Sequence, residues 1–408
     1  MTTADMTPNA SAATTRPIRL GVVGVGGYGQ TVIAAVRELG AGLNVPFTLG
    51  ACYEAFPQRH AGVMADLADE GVRRHDSLVA LAEDPDLDAV WLVLPIQHHA
   101  EATRAVLAAG KAVMCEKPAA ASLDEIDAMI AARDAAGRPA LIGFQEMYHP
   151  ETLRLKRFVT DGGIGPLRRV TVTGFWPRNH AYFRRSGWAG RRKLDGRPVH
   201  DSPVANAMAH FVNLALFFAG AEPGDTAEVT ELNAGLYRAA AIENFDTALV
   251  HGRTDAGPEV FIGLTHACVE QADPVIRLVG DGGEVTRTLD DVTIRRPGRD
   301  DEVWPLPHRS LRPMFEAFGA VIRGDPPDDR VVATLERSRP HVALIQQLSE
   351  QPVCDVPADL IERVGDGERQ VLAVRGIQDT LTRLANGVAG GELPYAQGDR
   401  RGVALPGT

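Results

Sequence analysis

The sequence of 408 residues is notable first for several features that it lacks. Its four cysteines lie far apart and form no Cys-x-x-Cys pair, which argues against a zinc site or a disulfide framework. No apolar run approaches the roughly 20 residues that a membrane span requires. The formal net charge is -11 and no long Lys/Arg run occurs, so neither a membrane nor a nucleic acid is expected as a partner.

The N-terminus also lacks the basic start and apolar core of a signal peptide. Met1 to Thr15 are polar, small and nearly uncharged, and we predict a disordered tail over residues 1–16. Together with the unpaired cysteines, this favours a cytoplasmic location. The composition, 45% hydrophobic and 23% charged, is typical of soluble globular proteins, and the length suits two domains.

A glycine-rich turn follows the first apolar run. The β-type stretch from Ile18 to Val23 leads into Gly24-x-Gly26-x-x-Gly29, and a helical pattern continues to Leu39. In a strand-turn-helix unit the first glycine allows the tight turn and the second lets a pyrophosphate approach the backbone. The third lets the helix pack closely on the strand. We therefore predict a cofactor-binding loop formed by Gly24, Gly26, Gly27, Tyr28 and Gly29.

An acid stands at the end of the second predicted strand, Phe47 to Tyr53. Glu54 is placed to accept hydrogen bonds from the adenosine ribose, which favours NAD over NADP. The spacing from the glycines exceeds the usual ~20 residues because the connection is lengthened. Two alternatives stay open: Glu54 as a helix-start carboxylate without a ligand, and Arg59 as a partner of a 2′-phosphate.

Strands and helices then alternate regularly as far as residue 147. This rhythm predicts a parallel, doubly wound Rossmann sheet over residues 17–147. Ligands of such sheets lie at the carboxyl ends of the strands, where Lys117 follows an apolar run. The alternative is a strand end with a solvated charge. The predicted cofactor contacts at these strand ends are Leu94, Pro95, His99, Glu116, Lys117 and Gln145.

The alternation changes at about Pro150. The later strands run without intervening helices, which predicts a mostly antiparallel sheet. The predicted fold is thus α/β followed by α+β, with a substrate and oligomerisation domain over residues 148–350. Residues 351–408 are predicted to form an extension packed on this second domain, and an open sheet face suggests a homodimer or homotetramer.

Several segments resemble the glucose–fructose oxidoreductase / inositol dehydrogenase (Gfo/Idh/MocA) family. They are the glycine fingerprint, Asp84-Pro-Asp-Leu-Asp-Ala-Val, Pro95-x-x-x-His99-x-Glu101, Ala109-Gly-Lys-Ala-Val-Met-Cys-Glu-Lys-Pro118 and Gly143-Phe-Gln-x-x-Tyr148-x-Pro150. The resemblance implies an NAD(P)-dependent oxidoreductase of sugars or polyols, with Lys117 near the nicotinamide and a Lys-Pro bond that is often cis. Leu94 and Ile96 depart from the residues common in the family.

A polar loop, residues 176–202, lies between the first strand of the second half and the others. It combines aromatic and basic side chains, which is typical of surfaces that stack on sugars, although a solvated surface loop is the alternative. The family resemblance places the segment matched by Trp188-Ala-Gly190 at the mouth of the site. The predicted substrate contacts are Tyr182, Arg184 and Trp188 in this loop, together with Tyr148 outside it.

Asn206, His210 and Asn213 are spaced to share one helix face. Without the resemblance, a core histidine with two amides is the simpler interpretation. The resemblance aligns His210 with the family's catalytic histidine and Asn206 with an aspartate. An amide cannot take a proton or raise the histidine pKa by its charge, so Asp201 or Glu243 is a candidate replacement. Both Asn206 and His210 are predicted to contact substrate.

The leading hypothesis is hydride transfer between a secondary alcohol of a sugar, cyclitol or glycoside and NAD. His210 would move the hydroxyl proton and Lys117 would stabilise the alkoxide, with no metal required. One alternative retains NAD and uses a transient oxidation for glycoside hydrolysis or epimerisation. Another is a non-catalytic sugar-binding regulator on the same fold.

Overall fold

The computed structural model describes residues 16–307, 310–325 and 333–387. The predicted tail therefore lies outside the described residues except for Arg16, and so does the end of the predicted C-terminal extension. No helix in these ranges combines the length and apolarity needed to cross a membrane. Within the same ranges, no cluster of three or more His, Cys, Asp or Glu side chains could hold a metal ion.

A six-stranded sheet with the order β3-β2-β1-β4-β5-β6 forms the first domain. All its strand pairs are parallel. The strands are β1 (Ile18–Val23), β2 (Phe47–Tyr53), β3 (Arg73–Arg74), β4 (Ala89–Leu92), β5 (Ala112–Cys115) and β6 (Ala140–Ile142). The helices are α1 (Tyr28–Leu39), α2 (Ala61–Asp69), α3 (Leu78–Ala82), α4 (His99–Ala108) and α5 (Leu123–Ala136). The predicted doubly wound Rossmann sheet is confirmed.

Local chemistry explains these elements. Strands β4 and β5 are buried at every position, as expected for parallel strands covered on both faces by helices. Helix α5 begins after Ser122, whose hydroxyl accepts a hydrogen bond from the Glu125 N–H, while the Glu125 carboxylate accepts one from the Ala121 N–H. It ends at Gly137, which has a left-handed φ of 60°.

A nine-stranded sheet with the order β16-β15-β14-β13-β7-β12-β11-β10-β17 dominates the second domain. The strands of this sheet are β7 (Leu167–Phe175), β10 (Val229–Arg238), β11 (Thr247–Thr254), β12 (Glu259–Thr265), β13 (Ala272–Gly280), β14 (Gly283–Arg287), β15 (Asp291–Arg295), β16 (Glu302–Pro305) and β17 (Val353–Asp355). Two further pairs form separate small sheets, β8 (Lys193–Leu194) with β9 (Arg197–Pro198) and β18 (Ile361–Val364) with β19 (Val371–Val374). The described helices are α6 (Pro150–Thr160), α7 (His180–Arg184), α8 (Ala209–Ala219), α9 (Arg312–Arg323), α10 (Leu335–Ser349) and α11 (Ile377–Ala385). The sheet is mostly antiparallel, as predicted, with parallel pairing only of β7 with β12 and of β10 with β17 among its described strand pairs.

Both faces of this sheet are covered near its centre. Val260 and Ile262 of β12 point into the main core that contains α8. Phe261 points to the other face, where it joins a second apolar cluster with Leu381 of α11. The expectation of an open face is therefore wrong over β7 and β12, because the chain's own C-terminal helix packs there. The predicted oligomer loses that support and stays a prediction.

Several contacts join the domains, among them one aromatic pair and one ion pair. Phe315 of α9 packs edge-on against Phe47 of β2, with ring centroids 5.3 Å apart. Arg287 of β14 forms a buried ion pair with Glu146 at 2.9 Å. Glu146 follows Gln145 in the short 3₁₀ helix Gln145–Tyr148, so the second domain holds the strand-end segment of the first.

Candidate active site

The glycine loop between β1 and α1 is too closely packed for side chains at two of its positions. Gly24 has a φ of +89°, and a Cβ there would lie 2.0 Å from the Val93 carbonyl oxygen. A Cβ on Gly29 would lie 2.1 Å from the Gly24 carbonyl oxygen. In the described chain no side chain caps α1 and its first turn holds no acid, so its amides and dipole can receive an anion. The loop fits the pyrophosphate of a dinucleotide.

Glu54 holds this loop from the end of β2. Its carboxylate oxygens accept hydrogen bonds from the Val25 N–H and the Phe56 N–H, each at 3.0 Å. A carboxylate offers about four acceptor positions, so further positions remain for ribose hydroxyls. Arg59 stacks on Phe56, with its guanidinium carbon 4.6 Å from the ring centroid. The geometry fits a dinucleotide, and the preference for NAD stays a prediction.

His99 is turned away from the predicted cofactor surface. It is 1% exposed, and its ring nitrogens lie 2.7 Å from the Pro118 carbonyl oxygen and 2.8 Å from that of Leu94. Burial lowers the pKa of His99, which favours the neutral ring, and a neutral ring donates to one of these carbonyls. The structure therefore makes His99 a positioning residue for the ends of β4 and β5, because both ring nitrogens face the backbone.

Glu116 lies behind the strand end. It is 7% exposed, and its Oε1 accepts a hydrogen bond from the indole N–H of Trp91 at 3.1 Å. Burial raises its pKa to about 7. Nearby, the Tyr28 hydroxyl donates to Gln145 Oε1 at 3.1 Å, which links the glycine loop to the end of β6. Gln145 and Tyr28 stay partly exposed at the predicted cofactor surface, whereas Glu116 supports that surface from within.

We expect Glu116→Gln to remove a pH dependence of stability. The folded protein holds the proton of this carboxyl more tightly than the unfolded chain, because its pKa rises from 4.5 to about 7. The free energy of unfolding should thus fall by about 3 kcal/mol between pH 4.5 and 7 in the parent, and Glu116→Gln should lack this fall. Denaturant titrations at pH 5 and pH 8 test it, with exposed Glu83→Gln as the control. Equal pH slopes for the parent and Glu116→Gln would contradict the prediction.

Lys117 meets the second domain at Asn206. The Lys117–Pro118 peptide bond is cis. The Lys117 ammonium donates to the backbone carbonyl oxygen of Asn206 at 2.9 Å and to its side-chain Oδ1 at 3.0 Å. Asn206 Nδ2 in turn donates to Asp201 Oδ1 at 2.8 Å. Since lysine only donates and a carboxylate only accepts, this chain of bonds determines the orientation of the amide.

Asp201 supplies a carboxylate that is linked to Lys117 through two successive hydrogen bonds. It is 3% exposed, and its Oδ2 accepts from the Gly190 N–H at 2.7 Å and lies 3.5 Å from the Arg185 guanidinium. Burial lowers the pKa of Lys117, and the charges of Glu116 and Asp201 oppose this effect. Of the two candidate carboxylates, Asp201 is thus the one that is hydrogen-bonded to Asn206, and its role as the replacement stays a prediction. Glu243, the other candidate, pairs with Arg191 in an exposed loop.

His210 lies one turn beyond Asn206, but on a different helical segment. Residues Pro203–Ala207 form a π-helix, and α8 starts at Ala209. The His210 ring is partly exposed and meets Phe144 edge-on, with centroids 5.8 Å apart. Asn213 is fully buried. The prediction of one helix carrying all three polar side chains is therefore wrong for Asn206, which lies in the π-helix, whereas His210 and Asn213 both lie on α8.

The aromatic and basic loop folds back onto the first domain. Ile96 and Ala121 of that domain form a small buried cluster with Val199, and Trp188 packs against it. The Arg185 guanidinium carbon lies 3.7 Å from the Tyr182 ring centroid and 4.7 Å from that of Trp188. The alternative of a solvated surface loop does not fit this packing. The loop instead covers the ends of β4 and β5 beside Lys117.

Both domains of the chain match models of known protein families. Residues 18–144 match the family model "Oxidoreductase family, NAD-binding Rossmann fold" of GFO_IDH_MocA, and residues 152–286 match the GFO/IDH/MocA C-terminal domain. The chain belongs to the Gfo/Idh/MocA family. It is therefore an oxidoreductase with an NAD(P)-binding fold, which confirms the resemblance seen in the sequence.

The relatives of this Gfo/Idh/MocA protein include a named inositol dehydrogenase and proteins solved with NADH or NADP. An inositol 2-dehydrogenase of Rhizobium meliloti is 27% identical over 272 residues, which cover 66% of this chain and 74% of the relative. The WlbA dehydrogenase of Bordetella pertussis, solved with NADH and UDP-GlcNAcA, has a TM-score of 0.66 and 25% identity over 82% of this chain and 95% of its own. A 3-ketoreductase of Actinomadura kijaniata, solved with TDP-benzene and NADP, shares the fold with a TM-score of 0.64 at 18% identity, over 84% of this chain and all of its own, 100%.

Two predicted substrate contacts of this Gfo/Idh/MocA chain lie elsewhere. Tyr148 is 5% exposed in the core, and its hydroxyl donates to the Ile142 carbonyl oxygen at 2.7 Å. Arg184 is exposed and pairs with Glu368. The prediction that they contact substrate is therefore wrong, because Tyr148 is enclosed by the core and Arg184 forms an ion pair on the outer surface. Sequence reasoning overlooked Arg185, for which the only signal was its position between Tyr182 and Trp188.

Proposed function

We propose that the chain is an NAD(P)-dependent dehydrogenase that interconverts a secondary alcohol and a ketone on a sugar or cyclitol. The observation that carries this proposal is the hydrogen-bonded series Lys117–Asn206–Asp201 at the carboxyl ends of the Rossmann strands. It sets a cation beside the surface where a dinucleotide fits. The names of the relatives support a sugar or cyclitol as the substrate.

Lys117 would stabilise the charge that develops on the substrate oxygen. An ammonium group has three N–H donors, and two acceptors on Asn206 are within hydrogen-bond distance of it. One donor remains for a substrate hydroxyl. Because the amine is held in place before the reaction, little reorganisation is needed when the alkoxide forms. The Asp201 carboxylate favours the charged amine in this buried setting.

His210 would carry the proton. Its ring is partly exposed, and it follows the Asn206 segment by one turn. An imidazole can accept the hydroxyl proton in oxidation and return it in reduction near neutral pH. Phe144 packs edge-on against the ring and supports its position.

The dinucleotide would be held by the glycine loop, Glu54 and the polar pair Tyr28–Gln145. When bound, its nicotinamide supplies the hydride acceptor or donor that no protein side chain provides. The loop residues Tyr182 and Trp188, stacked on Arg185, would cover the substrate and exclude water. Aromatic faces next to arginine suit the alternating apolar and hydroxyl surfaces of a sugar ring.

A screen for turnover tests the proposal directly. The purified chain would be incubated with NAD or NADP and a panel of inositols, free sugars and nucleotide-linked sugars, and the absorbance of the reduced nicotinamide recorded. We expect oxidation of at least one secondary alcohol in the panel. Sugar binding without any turnover, with the cofactor shown to be bound, would instead support a regulator. Product formed without added cofactor, by protein that already contains it, would support the cofactor-retaining alternative.

A further inference from the structure

The ring of His60 occupies the space beside the second glycine of the fingerprint. His60 ends the 3₁₀ helix Pro57–His60 and directly precedes α2. A Cβ built on Gly26 would lie 2.5 Å from both Cε1 and Nε2 of His60 and 3.2 Å from Nδ1. These are the three nearest atoms to that Cβ, so the imidazole is the group that fills the space a side chain would take.

The space beside Gly26 is the space that a bound dinucleotide needs. The second glycine of such a loop lacks a side chain so that the dinucleotide pyrophosphate can approach the backbone. A partly exposed histidine therefore stands where phosphate oxygens are received, next to the uncapped N-terminus of α1. Among the described residues the ring has no hydrogen-bond partner, and its side chain does not cap α2. The ring can thus rotate without breaking a hydrogen bond within the described residues.

We propose that His60 binds the pyrophosphate of the cofactor. Its ring leaves Gly26 when the pyrophosphate takes that place, and a ring N–H donates to a phosphate oxygen. Imidazole can supply such a hydrogen bond in either protonation state, since each state keeps at least one N–H. Neighbouring charges allow this role: the Glu54 carboxylate is already held by two backbone N–H groups, and Arg59 adds a cation on the adjacent residue.

Direct binding measurements test this assignment without any substrate. NADH would be titrated into the cofactor-free protein and its fluorescence followed for the parent, His60→Ala, His60→Gln and the control His251→Ala, which lies on β11 of the second domain. Loss of a hydrogen bond to a charged group predicts a Kd about 10-fold to 100-fold higher for His60→Ala. His60→Gln keeps an N–H donor and should fall between, and His251→Ala should match the parent.

Other outcomes would overturn the assignment. An unchanged Kd for His60→Ala would mean that the ring only fills space, and a lower Kd would mean that it obstructs the cofactor. Failure of the parent itself to bind NADH or NADPH would overturn the dinucleotide site as a whole, and this result is distinct from a failure at His60. A second readout is the Cε1–H resonance of His60, which should shift on addition of NADH and saturate at the same Kd.

Discussion

Replacing Lys117 by methionine should lower kcat by about 10³-fold on whichever sugar or cyclitol is turned over, because it removes a donor to the developing alkoxide. Methionine has a similar length and no charge, so it fits the buried stem of the side chain. The Kd for NADH should change little, since the ammonium bonds to Asn206 and not to the glycine loop. Steady-state kinetics and a fluorescence titration of NADH measure the two effects separately.

A lysine at the other end of the same strand gives a matched control. Lys111 precedes β5, and its ammonium donates to the Leu87 carbonyl oxygen at 2.7 Å. Lys111→Met removes the same chemical group from the amino-terminal end of β5, away from the proposed site, so kcat should stay near the parent value. A loss of less than about 10-fold for Lys117→Met would remove Lys117 from the proposed chemistry. An equal loss for Lys111→Met would point to general damage to the domain.

The first domain was predictable from sequence because its determinants are local. Five of the six parallel strands are short apolar runs, with Arg73–Arg74 of β3 as the exception. Helix α5 begins and ends with recognisable capping chemistry, and the glycine spacing reflects contacts within one turn. Lys117 could be located for the same reason, since ligand sites of such sheets lie at strand carboxyl ends. The observed bounds of β2, Phe47–Tyr53, coincide with the predicted run.

The composition of the site was less predictable because it depends on contacts distant in sequence. Lys117 and Asn206 are 89 residues apart, and the link to Asp201 requires a π-helix that no simple period signals. A regular helix continuing from Asn206 would have put Asn206 on one helix with His210 and Asn213, and the structure instead places Asn206 in the π-helix before α8. Tyr148 shows the opposite error: its motif suggested a substrate contact, but the hydroxyl finds a backbone acceptor in the core.

The C-terminal extension was predicted to pack on the second domain, but neither the sheet face that it covers nor the position of His60 was predicted, for a related reason. Leu381 of α11 covers Phe261 from a distance in sequence that no local pattern bridges. His60 lies on a short 3₁₀ helix whose own sequence gives no hint of Gly26. Both contacts are decided by how separate elements pack, and such packing becomes visible only in three dimensions.

We expect Asp201→Asn to lower kcat/KM by about 10²-fold, because the side-chain amide of Asn206 would rotate. The Asp201 carboxylate accepts from both Asn206 Nδ2 and the Gly190 N–H. An asparagine has one acceptor oxygen, so its NH₂ group must face one of these donors. If Asn206 rotates to relieve this, its own NH₂ group faces Lys117 and one of the two bonds that hold the amine is lost. The lysine also loses one of the two carboxylates, Glu116 and Asp201, that favour its charge.

The exchange Asn206→Asp with Asp201→Asn should recover activity to within about 10-fold of the parent. In the double variant the carboxylate at 206 accepts from Lys117 and from the new amide at 201, whose oxygen accepts from the Gly190 N–H, so every donor again has an acceptor. Asn206→Asp alone should be impaired, because two carboxylates at the 2.8 Å spacing of the present bond cannot both be ionised.

The test compares kcat/KM for the parent, the two single variants and the double variant. The exposed Glu243→Gln serves as a control and is expected to match the parent. A double variant no better than the poorer single one would show that the carboxylate must lie at 201 for a reason other than orientation of Lys117. Recovery would show that the series requires one carboxylate and one amide, in either order. The amide at 206 and the carboxylate at 201 would then have exchanged positions. The departure from the family pattern at 206 would leave one carboxylate in the series, as before.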